Sequence, residues 1–124
     1  MHIGFFKRKN KPAEVGTHII ADFWGVESID DEKEIEEILK KSAEESGSHL
    51  LDINIYKFDP QGITGVAILA ESHISIHTWP EREYIAVDAF TCGAHTDPRK
   101  AINCLRDSFK PKKSKIIEIK RAKQ

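Results

Sequence analysis

A short extended stretch concentrates side chains that could act as nucleophiles and bases. Residues 71–81 read ESHISIHTWPE, and Ile74, Ile76 and Thr78 alternate along one side of this stretch. Two serines and two histidines crowd the remaining positions: Ser72, His73, Ser75 and His77. Serine and histidine are the residue types of nucleophilic catalysis. A strand does not need this much polar chemistry, so the stretch is a candidate reactive site.

A metal site is one interpretation of the histidines. His73 and His77, with Cys92 and His95 further along the chain, are ligand types that zinc or iron accepts. However, two residues four apart on an extended strand are separated by about 13 Å, which is too far for one ion. We therefore expect no metal.

A hydrolase triad or a thiol–imidazole pair is another interpretation. Ser72 or Ser75 could be activated by His77, and Asp88 is an unassigned carboxylate. Cys92 could instead pair with His77. The sequence has no G-x-S-x-G turn, the usual signature of a strained serine nucleophile. Spacing alone leaves open which of these side chains meet.

The elements that must position these residues follow from the periodicity of the sequence. Alternating stretches predict strands over 16–25, 49–58, 63–79, 84–92 and 114–121. The stretch 63–79 is too long for one strand, so something must break or bend it. Helical periodicity follows Asp30 or Asp31 and ends at Gly47, and a second helix begins at Asp97 and Pro98 and stops before Pro111.

With the broken stretch 63–79 counted as two strands, the resulting order is β-α-β-β-β-β-α-β. It predicts an α+β two-layer sandwich, with a mainly antiparallel sheet and two helices on one face. Four aromatic residues are candidates for the other face: Trp24, Tyr56, Phe58 and Phe90. A homodimer would cover this apolar surface.

Length and charge narrow the classes of function. The 124 residues predict a single domain over 16–124, preceded by a basic N-terminal extension over 1–15. The formal net charge is −1, so we expect neither a nucleic-acid nor a membrane partner. No signal peptide is visible, and Cys92 and Cys104 have no metal or redox spacing. These features predict a cytoplasmic protein with reduced thiols.

Several motifs together resemble one known family. ESHISIHTWPE, followed after a short turn by AVDAFTCG, closely resembles the small prokaryotic S-adenosylmethionine decarboxylases. GTHIIADFWG, FDPQGITGVAILAES and DPRKAINCLR resemble the same family in the same order. The resemblance covers roughly residues 16–120, and its central motif is long and specific.

The resemblance implies a self-processing enzyme with a pyruvoyl group made from Ser72. The Ser72 hydroxyl would attack the Glu71 carbonyl, and cleavage would give a β chain of residues 1–71 and an α chain of 72–124. His77 matches the processing histidine. Thr64 matches a processing position that is usually serine. The cut would also supply the break that the stretch 63–79 requires.

The resemblance also implies how the substrate is handled. The pyruvoyl ketone would form a Schiff base with S-adenosylmethionine and take up the electrons left by CO₂. The product would be the aminopropyl donor of polyamine (spermidine) biosynthesis. Cys92 matches the proton donor, and Glu81 resembles the ribose-binding glutamate. Phe58 and Trp79 are candidates for contacts with adenine. The family is associated with a homodimer that has its active sites at the subunit interface.

Two other functions stay open at this point. A protein with the same processing residues could decarboxylate ornithine or arginine, because Glu81 could also hold a cationic side chain. A non-catalytic α+β binding or regulatory module is the other alternative. The presence of Ser72, His77 and Cys92 together argues against such a module.

Overall fold

The computed structural model describes residues 16–27 and 29–122, which form six strands and two helices. In chain order these are β1 (Gly16–Trp24), α1 (Glu32–Glu45), β2 (Leu50–Lys57), β3 (Ile63–Leu69), β4 (Ser72–Trp79), β5 (Tyr84–Thr91), α2 (Pro98–Phe109) and β6 (Lys113–Arg121). This confirms the predicted order of elements. The predicted extension, residues 1–15, lies outside the described residues.

The strands form one antiparallel sheet in the order β2-β3-β4-β5-β1-β6. The candidate reactive stretch, β4, lies in the middle of this sheet between β3 and β5. Helix α1 packs on β2 and β3, and α2 packs on β1 and β5, beside α1. The predicted α+β sandwich with both helices on one face is therefore confirmed.

The core lies between the helices and one face of the sheet. Ile74 and Ile76 of β4 are fully buried there, against the apolar faces of α1 and α2. Leu39 of α1 and Leu105 of α2 are also fully buried. Burial of each such side chain stabilises the fold by roughly 1.5–3 kcal/mol. β4 is thus anchored firmly through Ile74 and Ile76, and the polar side chains of His73, Ser75 and His77 face away from the core.

The helices begin at the predicted caps. The Asp31 side chain accepts a hydrogen bond from the Lys33 N–H, and the Asp97 side chain accepts one from the Arg99 N–H. Such caps satisfy backbone donors that the first turn of a helix leaves unpaired. Gly47, just after α1, has a φ of 77°, which glycine adopts without a steric penalty.

The long stretch 63–79 is broken by a hairpin. Leu69 at the end of β3 pairs with Ser72 at the start of β4, so Ala70 and Glu71 form a tight turn. The expectation that cleavage breaks the stretch 63–79 is wrong for the uncleaved chain, because the turn already reverses the direction of the chain there. Glu71 and Ser72 are therefore held in a turn at the edge of the helix-covered layer.

In the described part of the chain, no helix covers the other face of the sheet. The strand register places Trp24, Tyr56 and Phe90 on this uncovered face, as predicted, while Phe58 lies just beyond the end of β2. Ile20, Ile117 and Ile119 add exposed apolar surface there, with 39%, 46% and 39% of their area accessible. None of the described helices is long and apolar enough to cross a membrane.

Candidate active site

The turn between β3 and β4 holds Ser72 in a strained conformation. Its φ is 143°, a value that residues with a side chain rarely adopt. Strain of this kind costs on the order of 1–3 kcal/mol and concentrates at functional sites. Ser72 opens β4 in register with the buried Ile74 and pairs with Thr91 of β5. The backbone is thus strained at the predicted point of cleavage.

The carbonyl oxygen of Glu71, next to Ser72, accepts two hydrogen bonds from Cys92. The Cys92 backbone N–H donates at 3.1 Å, and the Cys92 Sγ lies 3.2 Å from the same oxygen. Cys92 directly follows β5 and is buried, with 6% of its area accessible. Two donors aimed at one acyl oxygen can stabilise the negative charge that develops there when a nucleophile attacks the carbonyl carbon.

The Glu71 side chain is buried and held by two histidines. Its Oε1 accepts the His49 backbone N–H at 2.9 Å, and its Oε2 lies 2.7 Å from His49 Nδ1 and 2.6 Å from His95 Nε2. Burial opposes ionisation of this carboxyl, but the hydrogen bonds from His49 and His95 outweigh it and lower the pKa to about 2. Glu71 is therefore a carboxylate at any ordinary pH.

Sequence reasoning missed the contact of His49 with Glu71 and considered His95 only as a metal ligand. Glu71 is 22 residues from His49 and 24 residues from His95, and no motif links them. The contact depends on the turn after α1 meeting the loop before α2, which the strand and helix pattern does not specify.

Thr91 has an unpaired hydroxyl beside the predicted cleavage point. Among the described residues, its Oγ1 is the one buried side-chain oxygen or nitrogen without a hydrogen-bond partner. Thr91 is paired with Ser72 across the β4–β5 ladder. A buried polar atom without a partner is costly, which makes Thr91 Oγ1 a candidate donor to a group that a reaction or a ligand brings to this point.

A second group of predicted residues lies at the opposite end of β4. Thr64 Oγ1 and His77 Nδ1 are 3.1 Å apart, joining β3 to β4 across the uncovered face. Both line a pocket of about 310 Å³. The same pocket is lined by three predicted substrate-binding residues: Phe58, Trp79 and Glu81.

The predicted site residues thus separate into two groups in one chain. We call Glu71, Ser72 and Cys92 the scissile group, and Phe58, Thr64, His77, Trp79 and Glu81 the pocket group. Ser72 and His77 are five residues apart on one strand, a separation of about 16 Å. The structure does not bring His77 to Ser72 within the same chain.

A third polar cluster lies in the middle of the uncovered face. The Asp88 carboxylate contacts His18 Nε2 at 2.7 Å and His73 Nε2 at 2.9 Å, and it accepts a short hydrogen bond from the Ser75 hydroxyl. Burial opposes ionisation of Asp88, but these hydrogen bonds outweigh it and lower its pKa well below the ordinary value. His73 and Ser75 therefore act together here, in support of Asp88.

Two clusters in the described residues have the geometry to hold a metal ion: His18, His73 and Asp88, and His49, Glu71 and His95. In the first, the Arg121 guanidinium donates to His18 Nδ1 at 2.9 Å, so the imidazole proton sits on Nε2 and points at Asp88. That nitrogen is then a donor and not a ligand. The candidate metal ligands considered from the sequence do not come together, because His73, His77 and His95 lie in three different clusters.

Comparisons with known proteins show the family to which this fold belongs. The family model of S-adenosylmethionine decarboxylase matches residues 17–122. The S-adenosylmethionine decarboxylase proenzyme of Methanococcus vannielii is 48% identical over 110 residues, covering 87% of this chain and 90% of that protein. The proenzyme of Thermomicrobium roseum is 42% identical over 108 residues, covering 86% and 93%.

A solved structure supports the same conclusion. The crystal structure of the adenosylmethionine decarboxylase from Aquifex aeolicus VF5 superposes with a TM-score of 0.82 at 36% identity, covering 87% of this chain and 91% of that one. Fold, site and relatives define the class of protein as a lyase, and more narrowly a decarboxylase. The chain belongs to the S-adenosylmethionine decarboxylase family.

Proposed function

We propose that the chain cuts itself between Glu71 and Ser72 and then decarboxylates S-adenosylmethionine, giving the aminopropyl donor for polyamine (spermidine) synthesis. The observation that carries this proposal is the turn at the start of β4. A strained serine there follows a carbonyl that accepts two hydrogen bonds from Cys92. These two donors would stabilise the negative charge that forms on the Glu71 oxygen when the serine attacks its own backbone.

The cut begins with a shift of the Glu71 acyl group. Ser72 Oγ attacks the Glu71 carbonyl carbon, the peptide C–N bond breaks, and the hydroxyl proton ends on the freed nitrogen. The charge that develops on the Glu71 oxygen is stabilised by Cys92. Removal of the Ser72 α-proton then expels the Glu71 carboxylate, and water converts the dehydroalanine to a pyruvoyl group with release of ammonia.

The base for this elimination is His77 of the partner subunit in a homodimer. Within one chain His77 is too far from Ser72, whereas its contact with Thr64 leaves it on the uncovered, apolar face. When the uncovered faces of two copies pack with two-fold symmetry, the pocket group of one subunit can lie over the Ser72 end of β4 in the other. The active site is therefore shared between subunits.

The residues of the scissile group fit a pyruvoyl group at position 72. The unpaired Thr91 hydroxyl and the Cys92 thiol lie at this point, so a new carbonyl would find donors. When present, the pyruvoyl group supplies an electron sink for the carbanion left by CO₂. Cys92 holds the proton that is returned to the substrate α-carbon.

The pocket group binds the nucleoside. Glu81 accepts hydrogen bonds from the two ribose hydroxyls, and Phe58 and Trp79 offer flat apolar surfaces to adenine. The proposed reaction assigns no step to a metal. In the described part of the chain Cys92 and Cys104 form no disulfide, in keeping with a cytoplasmic enzyme.

Release of CO₂ tests the choice of substrate. Purified protein is incubated with S-adenosylmethionine, ornithine or arginine labelled in the carboxyl group, beside the Ser72→Ala variant as the inactive control. We expect CO₂ from S-adenosylmethionine alone, and a Glu81→Gln variant should raise KM more than it lowers kcat. Preferential release from ornithine or arginine would overturn the assignment.

A further inference from the structure

The two histidines that hold the Glu71 side chain take no part in the chemical steps proposed above. His49 contributes a backbone N–H and Nδ1, and His95 contributes Nε2. The carboxylate they hold is only 2% accessible, although the imidazoles themselves are largely exposed, at 73% and 47%. Burying a charge without partners is very costly, so these donors keep the Glu71 side chain in place.

The contacts fix Glu71 from two sides. Its carbonyl is held by Cys92, and its side chain by the histidines. The turn itself is tied to His49, whose carbonyl accepts the Ala70 N–H at 2.9 Å. With both ends of the residue held, the peptide plane between Glu71 and Ser72 has little freedom to rotate.

The two histidines come from segments that are fastened to each other. His49 precedes β2, shortly after α1, and His95 lies in the loop before α2. The Asp97 N–H donates to the Ser46 carbonyl at 2.9 Å, which joins the loop to the end of α1. The two histidine donors are therefore carried by neighbouring segments that a backbone hydrogen bond joins.

We propose that His49 and His95 are positioning residues for self-cleavage, acting through the Glu71 side chain to hold the Glu71 carbonyl against Cys92 and in reach of the Ser72 hydroxyl. This rests on the proposed cut between Glu71 and Ser72. Attack on a carbonyl depends steeply on the alignment of the reacting atoms, so a small rotation of this peptide slows the reaction. The histidines touch no reacting atom, and their effect is on the first step, the acyl shift.

The two imidazoles use different nitrogens, which provides matched variants. The side-chain nitrogen of asparagine takes the position of His49 Nδ1, and that of glutamine takes the position of His95 Nε2. His49→Asn and His95→Gln therefore keep the donor, whereas His49→Leu and His95→Leu remove it at similar volume.

The experiment measures the rate constant of self-cleavage of the full chain by intact-mass spectrometry. We expect the leucine variants to cut at least about ten-fold more slowly, and the asparagine and glutamine variants to stay within about three-fold of the unmodified chain. Leucine variants that cut at the unmodified rate, or amide variants as slow as the leucine variants, would overturn the proposal.

Two further measurements separate positioning from folding. Urea unfolding of each variant in the uncleavable Ser72→Ala background gives the folded fraction, and the expected slowing persists after correction for it. Hydroxylamine cleaves an ester but not a peptide bond, so it reports how much ester accumulates. We expect no accumulation in the leucine variants, because the step before the ester is slowed.

Accumulation of ester in these variants, or a slowing fully explained by unfolding, would contradict the role of the histidines. Failure of the proposed cut itself is distinguishable, because the unmodified chain would then stay whole. If the unmodified chain is cut and the leucine variants are cut equally fast, only the role of His49 and His95 fails.

Discussion

At the scale of single residues, replacement of Thr91 shows whether its unpaired hydroxyl serves the stability of the fold or the cleavage reaction. Thr91→Val removes this buried hydroxyl at nearly constant shape. Because an unsatisfied buried hydroxyl costs free energy, we expect the Ser72→Ala chain to gain about 0.5–1 kcal/mol in its free energy of unfolding when Val replaces Thr91. In the unmodified background, we expect cleavage to slow about three-fold or more, because Thr91 pairs with Ser72 and its hydroxyl would be lost as a donor to the oxygen that becomes charged during the acyl shift.

Urea unfolding checks the expected gain in stability, and intact-mass time courses check the expected slowing of cleavage. A loss of stability on Thr91→Val would show that the hydroxyl already has a good partner in the uncleaved chain. An unchanged rate of cleavage would show that it serves no step of the cut.

The Glu71 carboxylate predicts a dependence of stability on pH. Its pKa is about 2 in the folded chain against an ordinary value of 4.5, so its stabilising effect is complete above pH 4.5 and is lost as the pH falls toward 2. We expect the Ser72→Ala chain to lose on the order of 2 kcal/mol over this range through Glu71 alone. A chain that carries Glu71→Gln in addition to Ser72→Ala should lack this loss of stability in acid. If the unfolding free energies of the single and the double variant changed in parallel with pH, the effect assigned to Glu71 would be contradicted.

Residue roles were predictable only in part. A motif singles out Ser72, Cys92 and His77 as candidates, because the proposed chemistry demands these residue types. The contact between His49 and Glu71 could not be predicted, since it spans 22 residues and joins two loops. The φ of 143° at Ser72 also has no signal in the sequence, where a serine, unlike a glycine, gives no warning of a strained backbone.

At the scale of elements, the turn after β2 shapes the pocket. Asp30, just before α1, accepts hydrogen bonds from the Lys57 ammonium and from the Gly62 N–H. The bond from Lys57, and then that from Gly62, lower the pKa of Asp30. These contacts fasten the turn that carries Phe58 to the helical layer.

Asp30→Ala should therefore loosen the pocket and leave the scissile group intact. We expect KM for S-adenosylmethionine to rise about three- to ten-fold, with kcat changed less than about two-fold, because uniform binding is lost. Steady-state kinetics measure both, and mass spectrometry checks that the variant is still cut. A fall in kcat with constant KM would contradict the assignment of the pocket to substrate binding.

The elements themselves were largely predictable. Caps at Asp31 and Asp97 and the glycine after α1 are local signals, and they marked the helices correctly. The hairpin at Ala70 and Glu71 was not predictable, because this turn has no glycine, proline or asparagine. The distance between Ser72 and His77, in contrast, follows from their five-residue spacing once both lie on one strand.

At the scale of the whole molecule, the separation of the scissile and pocket groups predicts complementation between subunits. A His77→Ala chain alone should stay whole, and so should a Ser72→Ala chain. When the two are produced together, a mixed dimer contains one site with an intact Ser72 and an intact His77 from the partner subunit. We expect the His77→Ala chain to be cut in this mixture.

Mass spectrometry identifies which chain is cut, and size-exclusion chromatography with light scattering verifies that mixed dimers form. A His77→Ala chain that stays whole within mixed dimers would contradict a shared site. Cleavage of that chain when it is produced alone would show that His77 is not the base.

The most direct test of self-cleavage is the intact mass of the unmodified protein after purification and incubation at neutral pH. We predict two chains, residues 1–71 and 72–124, with the second bearing a pyruvoyl group in place of its N-terminal serine. We also predict that Ser72→Ala stays whole. A single uncleaved chain that persists on incubation, or a Ser72→Ala chain cut at the same bond, would contradict self-cleavage by Ser72.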